Sequence, residues 1–210
     1  MCSAAWAAFW MATVKPLHDP IALFQQQLAE ARALPREQMP EPTAFALATV
    51  NEEGQPSIRM LLLKDVDHRG FVFYTNLESR KGVELAHNRR AAMNFHWAPL
   101  ERQVRVEGRV TPVTDDEADA YFATRARGSQ IGAWASRQSR SMERAGDLDA
   151  RVTEFESKFE GRDVPRPSFW SGFRLAPSAI EFWKGKPSRL HDRQLYTRDG
   201  EGWRVTLLYP

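Results

Sequence analysis

Cysteine is almost missing from this chain. Cys2 is the single thiol in 210 residues, which excludes a disulfide framework and a thiol-based metal site. A reducing, cytoplasmic setting fits that usage. The five histidines, His18, His68, His87, His96 and His191, show neither His-x-x-x-His nor mixed His/Cys spacing, so no metal site is expected. GxGxxG and Walker loops are lacking, which counts against a dinucleotide or nucleoside-triphosphate site. No G-x-S-x-G elbow supports a hydrolase. An excess of one charge is lacking too. Lys and Arg number 29 against 27 Asp and Glu, for a net charge of +2, too balanced for a dedicated nucleic-acid binder. The longest apolar opening, MCSAAWAAFWM, has no basic n-region and falls short of the roughly 20 residues that cross a bilayer.

What is present describes one globular domain, with 42% hydrophobic and 27% charged residues. Residues 1–18 read as a disordered extension or an upstream start ahead of Met11, with the domain running from Asp19 to Pro210. Asp19 to Leu34 has helical spacing, with Asp19 as cap and Pro20 in the first turn. Ala44 to Val50, Ser57 to Lys64 and Gly70 to Thr75 read as strands joined by the Gly-containing turns NEEGQP and DVDHRG. Ala91 to Trp97 and Arg102 to Thr111 extend the sheet, and Phe169 to Leu175, Ala179 to Trp183 and Trp203 to Leu208 close it. Thr114 and Glu117 form a capping box. Arg127 to Gly146 is expected to be mostly loop, and Leu148 to Phe159 a helix. Sequence-adjacent strands with helices between them predict an α+β, barrel-like antiparallel sheet.

Chemistry concentrates in a few places. Arg59 and Lys64 stand five apart on a strand and so face opposite sides. They are either solubilising ends or holders of two different anions. Ser79 caps the helix Arg80 to Asn88, which places Arg80 and Lys81 in its first turn. There they oppose the helix dipole unless a phosphate binds. Tyr121, Arg125 and Ser129, at i, i+4 and i+8, would form one stripe of phosphate donors if the helix persists. Tyr121 could equally be a half-buried core residue. Gln138 and Ser139 add polar groups in a loop. The stretch Ile180 to Arg193, IEFWKGKPSRLHDR, puts Arg189, His191 and Arg193 at two-residue spacing. An extended chain would point all three one way. The readings are a solvated basic edge and a face for an anionic or electron-rich partner. Several phosphate-type sites without a nucleophile suit an enzyme whose cofactor carries the chemistry.

That last stretch resembles the C-terminal signature of the pyridoxine/pyridoxamine 5′-phosphate oxidase family. RMLLLK at Arg59–Lys64, FYTN at Phe73–Asn76 and SRK at Ser79–Lys81 agree with it. So do LERQVRVEG at Leu100–Gly108, SQIGAW at Ser129–Trp134 and PSFWSGFR at Pro167–Arg174. The resemblance spans Asp19 to the C-terminus. It implies an antiparallel split β-barrel with peripheral helices, homodimeric, with FMN at the subunit interface. It assigns FMN contacts to Arg59, Met60, Leu61, Leu62, Leu63, Lys64, Tyr74 and Thr75. Arg80, Lys81, Gln103, Gln138, Ser139, Trp183 and Arg193 complete that set. Substrate contacts fall on Lys64, Tyr121, Arg125 and Ser129 at the phosphate, and on Arg189, Leu190 and His191. Arg189 and His191 are the implied catalytic pair, over the pyridine ring. The implied activity is oxidation of pyridoxamine or pyridoxine 5′-phosphate to pyridoxal 5′-phosphate, with O2 going to H2O2. The alternatives are another split-barrel flavin oxidoreductase and a non-catalytic flavin or pyridoxal-phosphate carrier. The chain departs from the family at its N-terminus, where a basic, tyrosine-containing segment is represented only by Lys15 and His18.

Overall fold

Asp19 and Pro20 start the first helix in the way their chemistry predicts. The Asp19 carboxylate accepts the Ile21 N–H at 2.9 Å, and proline fills a first-turn position that needs no donor. The structure is a computed structural model and describes residues 19–210. The expectations for residues 1–18, including Met11, Lys15 and His18, lie outside the described residues. Helix α1 (Pro20–Arg32) buries Ile21, Phe24, Leu28 and Ala31 along one stripe.

Nine strands follow in a wholly antiparallel sheet: β1 (Ala44–Val50), β2 (Pro56–Leu62), β3 (Asp65–Asp67), β4 (Gly70–Asn76), β5 (Arg90–Trp97), β6 (Arg102–Pro112), β7 (Trp170–Lys184), β8 (Asp192–Asp199) and β9 (Gly202–Leu207). The order is β2-β1-β5-β6-β7-β4-β3, with β8 and β9 added beside the second half of β7. The two ends of that order, β2 and β3, are consecutive in the chain. Leu63 N–H donates to Thr43 O at 2.9 Å and Lys64 N–H to Val72 O at 2.9 Å, so this link curls the sheet into a split barrel of the α+β class. Helices α2 (Arg80–His87), α3 (Asp115–Ala123), α4 (Arg127–Ala135) and α5 (Asp147–Lys158) are peripheral. Thr114 and Glu117 make the reciprocal capping box at α3. Among the described residues, no helix is long and apolar enough to cross a membrane.

Three expectations change. The two segments Phe169–Leu175 and Ala179–Trp183 are one strand, β7, which passes through Pro177. A register shift between Glu107 and Gly108 takes up the irregularity there. Gly108 is needed at that point, because a Cβ would stand 2.1 Å from Ala176 O. The region Arg127–Gly146 is not mostly loop. Its first part is helix α4, which buries Ile131 and Ala135 against Phe155 and Phe159. Arg189, His191 and Arg193 do not share an extended segment. Pro187–Arg189 forms a short 3-10 turn with Ser188 and Arg189 at φ 58° and 61°, and β8 begins only at Asp192. Proline and two left-handed residues break the alternation that the spacing alone implies.

The barrel core is aromatic. Phe24 packs edge-on against Phe71 and Phe95, with ring centres at 4.8 and 4.9 Å. A separate cluster under α3, α4 and α5 contains Phe122, Ile131, Phe155, Phe159 and Trp170. Because Phe24 is wholly enclosed between helix and sheet, Phe24→Ala is expected to destabilise the protein by about 3–5 kcal/mol. Urea unfolding measures this as a lower midpoint with an unchanged slope.

Candidate active site

Where β2, β4, α3 and α4 meet, they enclose a cavity of about 680 Å³. Its wall includes Met60, Leu61, Leu62 and Lys64 from β2 and the link after it, Tyr74 and Thr75 from β4, Tyr121, Arg125 and Ser129, and Gln138. The helical stripe Tyr121–Arg125–Ser129 is broken after Ala123, where α3 ends and before α4 begins. The turn between the helices nevertheless keeps all three on the same cavity. Trp170 was not singled out from sequence, yet it builds the aromatic wall. Tyr74, Tyr121 and Trp170 form a near-parallel trio, with ring centres 4.1, 5.4 and 6.1 Å apart and planes within 12°.

Arg125 lies over Trp170, its guanidinium carbon 4.7 Å from the ring centre. Its Nη1 is buried with no hydrogen-bond acceptor among the described residues. Burial pushes its pKa down. A buried donor left without an acceptor is costly, so this nitrogen is suited to a ligand oxygen.

The second unmatched cation is Lys81, in the first turn of α2. Only 6% of it is exposed. Its Nζ donates to Thr75 Oγ1 at 3.0 Å, Ser79 Oγ at 3.1 Å and Gln138 Oε1 at 2.8 Å. All three acceptors are neutral. Burial, and then the charge of Arg59, push it down to about 8. Ser79 caps the helix by accepting the Gly82 N–H at 3.3 Å. The turn is tight enough that a Cβ on Gly82 would stand 2.2 Å from Leu77 O. A helix N-terminus with an uncompensated buried ammonium favours an anion beside it.

Arg59 and Arg80 converge on Glu84, a carboxylate that sequence reading missed. Glu84 is 4% exposed. It accepts from Arg59 Nη2 at 3.2 Å, Arg80 Nε at 2.8 Å, Ser57 Oγ at 2.6 Å and the Thr49 hydroxyl. Desolvation raises its pKa, but the hydrogen bonds from Ser57, Thr49, Arg80 and Arg59 outweigh it and bring it down to about 2. The i, i+4 pairing of Arg80 with Glu84 was the legible signal. Arg59 itself does not line the cavity, and the Leu63 side chain is buried in the barrel core. Ser139, at φ 70°, lines a neighbouring hollow with Met142 and Arg151.

The remaining residues gather elsewhere. Gln103, Trp183 and Arg193 are register partners across β6, β7 and β8. Arg193 grips Glu181 through Nε and Nη2 at 2.8 and 3.1 Å, which raises the pKa of the guanidinium. His191 packs on Trp183 at 4.6 Å and accepts the Lys186 N–H through Nδ1 at 3.2 Å. A neutral His191 therefore carries its proton on Nε2. Arg189 ends the 3-10 turn and Leu190 follows it, exposed. None of these six residues lines the cavity. At about 3.3 Å per residue, on the order of 40 Å of strand contour separates Trp170 from Trp183.

The Lys81 environment has a pH consequence. Its folded pKa near 8 lies below the ordinary lysine value of 10.5, so between those values the unfolded chain binds more protons. Stability of the ligand-free protein from this group should rise from pH 8 to about pH 10.5. Comparing denaturation midpoints across that window with those of Lys81→Met, which should lack this component, checks the sign.

A family model described as pyridoxamine 5′-phosphate oxidase matches residues 32–159. A second, described as the pyridoxine 5′-phosphate oxidase C-terminal dimerisation region, matches residues 170–210. Among curated relatives, the pyridoxine/pyridoxamine 5′-phosphate oxidase of Cupriavidus taiwanensis is 55% identical over 91% of this chain and 89% of its own. That of Myxococcus xanthus is 53% identical over 97% of this chain and 98% of its own. Among solved structures, PhzG from Burkholderia lata, in complex with tetrahydrophenazine-1-carboxylic acid, superposes with a TM-score of 0.87 at 34% identity, covering 93% of this chain and 95% of that one. A pyridoxamine 5′-phosphate oxidase-related, FMN binding protein from Nostoc punctiforme shares the fold, with a TM-score of 0.70 at 16% identity over 94% of this chain and all of that one. The chain, with its split barrel, belongs to the pyridoxine/pyridoxamine 5′-phosphate oxidase family.

Proposed function

We propose that the protein oxidises pyridoxamine 5′-phosphate and pyridoxine 5′-phosphate to pyridoxal 5′-phosphate, with FMN as cofactor and O2 as final electron acceptor, in the cytoplasm. One observation carries this reading. A single aromatic-walled cavity has two unmatched cations, Lys81 behind Thr75 and Gln138, and Arg125 beside Tyr121 and Ser129. Two anion sites suit a phosphorylated cofactor next to a phosphorylated substrate.

Bound FMN would supply the two-electron acceptor chemistry that no side chain of this protein offers, with O2 as the final acceptor and H2O2 as its product. Arg80, Lys81 and the N–H groups opening α2 would hold its phosphate. The β2 segment Arg59–Lys64, Tyr74, Thr75, Gln138 and Ser139 would frame the rest. Lys64, Tyr121, Arg125 and Ser129 would grip the substrate phosphate, so binding energy far from the reacting carbon fixes its position. Arg189 and His191 would orient the pyridine ring, with His191 donating through Nε2. The amine substrate loses two hydrogens to become an imine, which water converts to the aldehyde and ammonia. The alcohol gives the aldehyde directly.

A second copy of the chain would bring Gln103, Trp183, Arg189, Leu190, His191 and Arg193 to the cavity of the first. Edge strand β2 supports this, with Ile58 70% and Met60 64% exposed beside the cavity. The exposed Leu190, Leu207 and Tyr209 fall within the match to the dimerisation region. The likeness to PhzG gives a second reading, in which a reduced tricyclic carboxylic acid is the substrate.

Purified protein is expected to be yellow and to consume O2 when pyridoxamine 5′-phosphate is added. A colourless protein refutes the flavin reading. A yellow protein without oxygen uptake refutes the oxidase reading in favour of a carrier, and uptake only with a tetrahydrophenazine carboxylic acid favours the second reading. Arg125→Ala should raise KM for phosphorylated substrates roughly 10- to 100-fold, as expected for a lost hydrogen bond to a charged group, and leave FMN content unchanged. Arg189→Ala should lower kcat while flavin content, read from absorbance, stays the same.

A further inference from the structure

We infer that Glu84 is a positioning residue for the phosphate end of the flavin site: it holds Arg80 by one nitrogen, leaving the guanidinium fork open, and pins Arg59 to the sheet. The inference rests on the flavin reading above. Glu84 takes only Nε of Arg80, at 2.8 Å. Both terminal nitrogens of Arg80 stay without a partner among the described residues, on a side chain that is 58% exposed. A guanidinium held by Nε keeps its two-nitrogen fork for a phosphate. Without that hold, a long exposed arginine samples many rotamers and loses entropy on binding.

Arg59 is held differently. Nη1 donates to Leu47 O at 3.2 Å and to the Thr49 hydroxyl, while Nη2 donates to the Ser57 hydroxyl and to Glu84. Ser57 and Thr49 also donate to the same carboxylate. Glu84 therefore joins β1, β2 and α2 through one buried charge. It also divides the local cations. Arg59 and Arg80 are compensated by Glu84, and Lys81, a turn earlier, is not. A bare carboxylate near a phosphate would repel it. This one is neutralised by two guanidiniums, so the orientation it imposes outweighs the repulsion it adds.

The test compares FMN with riboflavin, which lacks the phosphate, binding to the apoprotein by quenching of flavin fluorescence. In Glu84→Gln, FMN affinity should fall about tenfold, comparable to weakening one charge-assisted hydrogen bond, while riboflavin affinity stays within about twofold. The gain in Tm from millimolar inorganic phosphate should shrink in parallel. Equal loss for FMN and riboflavin overturns the inference, since it means a general structural role. Tighter FMN binding also overturns it, since repulsion would then be the larger effect. If Glu84→Gln does not fold, Arg80→Lys removes the fork and keeps the charge. It should reproduce the selective loss of FMN, and unchanged FMN binding would overturn the inference. Should the wild-type apoprotein not prefer FMN to riboflavin, the flavin-phosphate reading itself fails.

Discussion

One strand, β7, carries the whole arrangement. Its first half pairs with β4, which supplies Tyr74 and Thr75 to the cavity, and its second half pairs with β8, which supplies Arg193. On its other edge it runs beside β6 for nearly the full length of both. A strand this long, paired on both sides, must bend to close a barrel. It does so where Pro177 sits opposite Gly108, one residue lacking a donor and the other lacking a side chain. The bend lets one strand serve two neighbours on the same edge. It also commits the two halves of the candidate site to opposite ends of that strand.

The charge layout follows from this geometry. At the β4 end, cations are left partly uncompensated: Lys81 sees only neutral oxygens, and Arg125 keeps a buried nitrogen without an acceptor. At the β8 end, Arg193 and Arg105 share a carboxylate, Glu181, which takes Arg193 through two nitrogens. Elsewhere buried arginines are also matched. Arg174 reaches Asp67 at 3.0 Å and Glu117 at 2.8 Å, tying β3 and α3 to β7. A fold that pairs its other buried charges, and leaves two unmatched around one cavity, concentrates its unspent electrostatic energy at the candidate site.

Much of this was legible in the sequence, and the limits have physical causes. Local chemistry read well: Asp19, Ser79 and Thr114 each cap the helix that their side chains predict. The alternation of Phe45, Leu47 and Thr49 describes a strand with one face inside. Long-range effects read poorly. Helix α4 begins without a side-chain cap and is rich in Gly and Ser, and it is held by packing of Ile131 and Ala135 rather than by propensity. Pro177 looks like a strand breaker because sequence does not reveal the bulge that accommodates it. Glu84 and Arg59 stand 25 residues apart, so their pairing exists only once β2 lies beside α2.

The spacing of Arg189, His191 and Arg193 shows how a site assignment can be argued from a local picture that the structure does not keep. The alternation argument needs an extended chain, and Ser188 and Arg189 are left-handed instead. What aligns His191 is not strand geometry but two contacts, the Trp183 ring and the Lys186 N–H. Trp183 is in turn the register partner of both Gln103 and Arg193. The C-terminal group is thus a rigid platform built on three strands, with a short strained turn presenting Arg189 beyond its edge. Strain of that kind costs of order 1–3 kcal/mol per residue. It persists here because Pro187 on one side and the His191 contact on the other leave the turn few alternatives. A platform that rigid, carried at the far end of β7, is suited to act on a cavity other than its own chain's.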